Sequence, residues 1–325
     1  MPIRQKSKKE FYMFSIRSLK VKAGMVFLLV PLLILAACGA NGNSGGEGNK
    51  GKLIVASKLD VEAQLMASMY TQLLQKAGYT VEEKPALGNS AIIFEAITSN
   101  KIDIYPEFTA TGLNKLNIPS SYDPKKDYET VKKGFKDQYK LDWLEAAPLN
   151  DGYALCMGKD TAAKLGISTL SDLAGKTKDL ILTAPSDSIE FIDSLAKTYK
   201  TLSTKDFKEL KTVDYAIGFQ SVESNKSQVT VCYGTDATVQ KSGMIFLKDD
   251  KNGFPAFNPG PVVREDILKK YSDIPSILNP MAQHLTTEAS IDLQTKVDAK
   301  SKEGMSKSQA IRTVAREFLQ SKGLL

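Results

Sequence analysis

Short β-rich runs alternate with amphipathic stretches from about residue 52 onward, and this alternation limits the fold more than any other feature of the chain. Residues 53–57 (LIVAS) have the pattern of a buried strand. Val61, Leu65, Met69 and Leu73 then recur every four positions, placing one apolar stripe on a helix that ends near Gly78. The same reading predicts strand over 79–84, helix over 90–98 and strand over 102–108. Further strands are expected over 153–158, 180–184, 228–234 and 243–247. Such β-then-α order predicts an α/β fold with largely parallel sheet. From Arg264 the chain reads as mostly helical, and Ile311, Val314, Ala315 and Phe318 form a helical stripe near its end. A body of about 270 residues lies where single cores stop growing, so two α/β lobes with a cleft between them are expected.

Charge sharpens this picture once it is located. Of 43 basic and 37 acidic side chains, the first 37 residues hold seven basic and one acidic, leaving 36 of each in the remainder. A neutral body argues against general nucleic-acid binding. The excess belongs to a leader: basic residues through Lys22, then a 13-residue apolar run over 23–35, then Leu35-Ala36-Ala37-Cys38. That run is too short for a membrane-spanning helix, which needs about 20 residues. Its ending resembles a bacterial lipoprotein signal, in which the cysteine is acylated and becomes the new N-terminus. Residues 1–37 are therefore expected to be a signal peptide and Cys38 the lipidation site. Residues 39–51 contain six glycines and no large apolar group, so 38–51 reads as a lipidated cysteine on a flexible tether. A near match to a phosphate loop at 46–52 is accidental, because Leu53 stands where a magnesium-binding hydroxyl belongs.

Several segments of the body resemble the substrate-binding lipoproteins of importers for glycine betaine, carnitine and choline. They are Ala56-Ser57-Lys58 with the following 62–64, Leu87-Gly88-Asn89, residues 103–111 (DIYPEFTAT) and residues 149–155 (LNDGYAL). In the same order come Tyr233-Gly234-Thr235-Asp236, residues 247–250 (LKDD) with Phe254-Pro255, Val297-Asp298, and the closing Glu317-Phe318-Leu319 and Gly323-Leu324-Leu325. The resemblance implies a two-lobed, periplasmic-binding-protein-like α/β fold with the ligand cleft between lobes. Lobe one would be 52–150 plus 258–325, and lobe two 151–257. In that family four aromatic rings box a trimethylammonium group. A quaternary nitrogen has no N–H to donate, so recognition rests on cation–π attraction and shape. The matching positions are Phe108, Tyr153, Tyr233 and Phe257, two of them phenylalanine where tyrosine is usual. Asp151 matches a position whose main-chain carbonyl faces the cation, and Lys58 and Thr111 match those that meet a ligand carboxylate. Members that bind glycine betaine tightly often add an arginine from the loop after the second lobe's Leu-Ile-Leu strand. Residues 184–190 (APSDSIE) hold none, which shifts the expected ligand toward choline, carnitine or a larger betaine, with Asp187 and Glu190 available to a second cationic group.

The expected protein is thus an extracytoplasmic, lipid-anchored, monomeric solute-binding protein, partnered by the permease subunits of an ABC importer and carrying no cofactor or metal. The alternative is a protein of the same fold for an amino acid or other cationic solute. An enzyme is disfavoured: there is no Gly-x-Ser-x-Gly elbow from residue 52 onward, and one histidine and three cysteines in the whole chain leave little for metal or His-based chemistry. Asp103 and Glu107 are read as structural rather than as an acid-base pair. With Cys38 acylated, Cys156 and Cys232 are either a disulfide beneath the cleft or two buried thiols. Trp143 is expected to be packed, and His284 to lie on a helix surface.

Overall fold

The computed structural model describes residues 50–325. The signal peptide and Cys38 lie outside the described residues. Of the expected tether, Lys50 and Gly51 are described, and both are tied down: the Lys50 amide donates to the Gly78 carbonyl, and the Thr80 amide to that of Gly51.

Among the described residues, ten strands build two five-stranded sheets. The first contains β1 (Lys52–Ala56), β2 (Thr80–Lys84), β3 (Ile104–Phe108), β4 (Leu141–Trp143) and β10 (Pro259–Arg264), in the order β2-β1-β3-β10-β4. The second contains β5 (Tyr153–Gly158), β6 (Ile181–Ala184), β7 (Glu209–Thr212), β8 (Val229–Tyr233) and β9 (Met244–Phe246), in the order β7-β6-β8-β5-β9. Each sheet is the floor of one lobe of a two-lobed α/β fold.

The sheets are mixed, which corrects the expectation of largely parallel pairing. In the first, β1 pairs in parallel with β2 and β3, but β10 runs antiparallel to β3 and β4. In the second, β6 pairs in parallel with β7 and β8, but β5 runs antiparallel to β8 and β9. The reason lies in the connectivity. β5 and β10 are the first strands after the chain passes from one sheet to the other, so no βαβ crossover fixes their direction.

Packing follows from periodicity. Helix α1 (Val61–Lys76) starts at Asp60, whose carboxylate accepts the Ala63 amide at 2.6 Å, and buries Leu65, Met69 and Leu73 against the first sheet. The last helix, Lys307–Ser321, adds Ile311, Val314, Ala315 and Phe318 to the same core. On the sheet's other side, α2 (Ser90–Thr98), α3 (Thr109–Leu116) and α4 (Pro124–Tyr139) enclose Phe135 and Trp143, whose rings meet edge to face at 5.4 Å. His284 is half-buried in the turn beyond helix Ile274–Ala282, rather than on a helix surface, because that helix has ended two residues earlier.

The two connections between sheets hold each other. Asn150 Oδ1 accepts the Phe257 amide at 2.8 Å, the Asp151 amide donates to the Phe257 carbonyl at 3.2 Å, and Asn258 Nδ2 donates to the Leu149 carbonyl at 2.7 Å. The Gly234 amide donates to the Gly152 carbonyl at 2.8 Å. A Cβ on Gly234 would lie 2.4 Å from the Asn150 carbonyl oxygen, so this approach needs a residue without a side chain.

Strand alternation sorts the β5–β8 ladder by face. Leu155, Met157, Val229 and Val231 face one core, while Cys156 and Cys232 face the other and are joined by a disulfide with Cα atoms 5.9 Å apart. Alkylation of the unfolded protein is therefore expected to leave Cys156 and Cys232 unlabelled until a reductant is added, as read by peptide mass. Replacing both by alanine should cost about 2–4 kcal/mol of stability. Labelling of both without reductant would contradict the bridge.

Candidate ligand-binding site

The centre of the candidate site is set by register. Tyr153 opens β5 and Tyr233 closes β8, and the antiparallel ladder pairs them directly. Their rings lie 5.3 Å apart with a 35° tilt, and Tyr233 is 39% exposed. Two further rings extend the pair. Phe191, on the short helix Ile189–Ser194, stacks on Tyr153 at 4.5 Å and 28°, and Tyr215, which opens helix Tyr215–Glu223, packs on Tyr233 at 5.4 Å and 35°. Tyr215 is pinned by its hydroxyl, which donates to Asp236 and accepts the Tyr233 amide at 3.3 Å. Burial, followed by that bond to Asp236, pushes the Tyr215 phenol well above its ordinary pKa, so it stays protonated.

The first lobe contributes a different chemistry. Phe108 ends β3 and is nearly covered; Thr111 is half-buried in the first turn of α3. Lys58, just beyond β1, is only 7% exposed. Its ammonium is ion-paired with the fully buried Glu107 and sits 5.0 Å from the centre of the Phe108 ring. Glu107 also accepts the Phe108 amide at 2.8 Å and the Tyr105 hydroxyl at 3.3 Å. The positive charge expected to meet a ligand carboxylate is therefore already held by a protein carboxylate. Glu107 is structural in the sense the sequence suggests, and Asp103 pairs with Arg264 at 3.5 Å while accepting the Ile54 amide at 2.7 Å.

A cavity of about 600 Å³ opens beside Phe191, and Tyr153, Tyr233 and Phe108 do not line it. Ala110, Leu113 and Tyr122 line it from the first lobe, Glu190, Phe191, Asp193 and Lys197 from the second, and Phe257 from the connection between them. Phe257 is thus the predicted ring that faces the cavity directly, and Phe191 links the cavity to Tyr153.

A second cluster lies where α1, the connection and the loop after β8 converge. Glu62, on α1, is buried. Its Oε1 accepts from Ser290 and from Gln294 Nε2 at 3.5 Å, while its Oε2 has no hydrogen-bond partner among the described residues. Gln294 Nε2 also donates to the Thr235 carbonyl at 3.1 Å, and the Thr235 hydroxyl donates to Asp151. Burial, then the charge of Asp151, pushes Glu62 up to about 8; burial pushes Asp151 up to about 6 against the pull of Thr235.

Sequence reasoning missed Phe191, Tyr215 and the role of Glu62. Phe191 and Tyr215 sit in ordinary amphipathic runs, and only the tertiary fold brings them to the tyrosine pair. Glu62 carried one signal, its place next to Lys58 in the first strand-to-helix turn.

Residues 51–321 match the model of a family described as the substrate binding domain of ABC-type glycine betaine transport systems. The chain belongs to that family. It is 31% identical over 277 residues to an ergothioneine transport permease/ergothioneine binding protein, EgtU, of Helicobacter pylori (strain G27), covering 84% of this chain and 48% of that protein, so it spans about half of that relative's length. It is 30% identical over 286 residues to the glycine betaine-binding protein YehZ of Escherichia coli (strain K12), covering 83% and 90% of the two chains. The solved structure of apo YehZ from E. coli superposes with a TM-score of 0.71 at 28% identity, covering 84% of this chain and 99% of that one. The family is one of transport binding proteins, which bind and deliver a solute.

Both buried carboxyls have native pKa values above their unfolded ones, so they hold more protons when folded. The stability they bring is fully present below about pH 4. It is lost as pH rises through about 6 and then about 8. Melting temperature should therefore fall from mildly acidic to mildly alkaline pH, and Glu62→Gln should flatten the upper part of that fall. Calorimetric scans across this range check it, and an unchanged alkaline slope in the variant would contradict it.

Proposed function

We propose that this protein captures a quaternary ammonium compound in the cleft between its lobes and delivers it to the permease subunits of an ABC importer. The observation that carries the reading is the Tyr153–Tyr233 pair: two rings fixed opposite each other by strand register, one of them well exposed, and joined through Phe191 to a cavity lined from both lobes. A trimethylammonium group binds such rings through their negative faces, each well-placed ring contributing about 0.5–2 kcal/mol. Glycine betaine and ergothioneine, the solutes named for the two relatives above, both carry this group. Phe108 and Phe257 supply further rings, with Asp151 and Thr111 as polar neighbours.

With Lys58 committed to Glu107 and no arginine in residues 184–190, the site offers little to a bare carboxylate. Of the expected ligands this favours choline, which has no carboxylate, over glycine betaine, and carnitine or a larger betaine comes next because each has more of the molecule to fill the cavity. The protein performs no covalent chemistry; selectivity comes from the rings and release from reopening of the cleft. It acts outside the cytoplasm as a monomer, anchored through Cys38. A second reading, an amino acid or other cationic solute, draws on Glu190 and Asp193 in the cavity wall.

Tyr233→Ala separates the two. Titration calorimetry should show affinity for choline or carnitine falling about 2- to 30-fold, with no change for amino acids. Loss for amino acids alone, or a folded wild type that binds no quaternary amine, would defeat the proposal.

A further inference from the structure

Tyr153 is flanked by two rings of the protein itself, Tyr233 at 5.3 Å and Phe191 at 4.5 Å. The Phe191 contact is the closer and more nearly parallel, at 28°. A cation–π contact needs the ammonium over a ring face, within about 6 Å of its centre. A stacked ring at 4.5 Å fills that space, so the face of Tyr153 that meets Phe191 holds no cation while the stack stands.

The two flanking rings are not equally fixed. Tyr233 belongs to the β5–β8 ladder and is backed by Tyr215, which Asp236 pins. Phe191 stands on a six-residue helix, half-buried, with its neighbours Glu190 and Asp193 lining the open cavity. Of the two, Phe191 is the ring that can leave. The first lobe repeats the pattern independently, since the Lys58 ammonium lies 5.0 Å from the Phe108 ring centre. Each lobe thus keeps one of its proposed box rings covered with a group of its own.

We propose that Phe191 is a specificity-determining residue of the site: it occupies the face of Tyr153 that a ligand cation must take, and an incoming cation binds only as far as its contacts outweigh that stack. This rests on the proposed quaternary-ammonium reading and adds to it a built-in competitor. Small cations with few other contacts are selected against, whereas a ligand that also fills the cavity beside Phe191 recovers the loss there.

The test uses tetramethylammonium and choline as probes in calorimetry and stopped-flow binding, with melting temperature as a check on folding. Phe191→Ala and Phe191→Leu, which remove the stacking ring with and without loss of apolar bulk, should bind both probes about two- to tenfold more tightly and associate faster. Phe191→Tyr, which keeps the stack, should restore wild-type values, a rescue that a merely structural role would not produce. Binding by the Ala and Leu variants where the wild type is silent would support the proposal most strongly. Unchanged or weaker binding in both variants, with the wild type binding normally, would overturn the competitor role and leave the quaternary-ammonium reading intact. Silence toward both probes in wild type and all variants, with every protein folded, would overturn the two together.

Discussion

The antiparallel register of β5 on β8 is the constraint on which the candidate site depends. Pairing Tyr153 with Tyr233 places their rings side by side at the strand ends, and the two-residue alternation of the same strands sends Cys156 and Cys232 to the opposite face. A slip of one residue would exchange these faces, moving the tyrosines off their cleft-side face and the sulfurs out of the core they share. The disulfide, the apolar face of Leu155, Met157, Val229 and Val231, and the Gly234–Gly152 hydrogen bond all oppose that slip. The ligand geometry is therefore a by-product of sheet packing, with the tyrosines carried on the most constrained ladder of the second lobe.

Buried charge tunes what this geometry can accept. Glu107 is fully buried, and Lys58 beside it is almost so, which makes the ion pair part of the scaffold; removing one partner of such a pair costs about 3–5 kcal/mol. Its cost to function is that Lys58 no longer offers a free positive charge to a ligand. Among the described residues, Glu62 and Asp151 are buried without a basic partner of their own to hold them ionised. They bring carboxyls to the point where α1, the connection and the loop after β8 meet, and burial favours their protonated forms. The site thus combines aromatic surface with little free positive charge, which suits a cation better than an anion.

Much of this was legible in the sequence because it is local. β-branched runs mark the strands, the four-residue spacing from Val61 to Leu73 marks α1, and 153–158 is recovered as a strand over its whole length. Strand direction was not legible, because β5 and β10 look like any buried strand and only their entry after a change of sheet makes them antiparallel. Pairings across long separations were equally hidden: Lys58 with Glu107 is 49 residues apart in the chain, and nothing in the pattern around Phe191 announces Tyr153. Phe108, Tyr153 and Tyr233 lie at strand ends and Phe257 in the connection just before β10, but which ring faces a cavity and which is covered depends on neighbours supplied by other elements.

The central claim concerns where a cation sits. The most direct measurement is a crystal structure of the folded body with carnitine or ergothioneine bound. The account predicts the quaternary nitrogen within about 6 Å of the ring centres of both Tyr153 and Tyr233, with Phe191 displaced from its stack. A nitrogen placed away from this tyrosine pair, or a ligand held through its carboxylate with the rings unengaged, would contradict it.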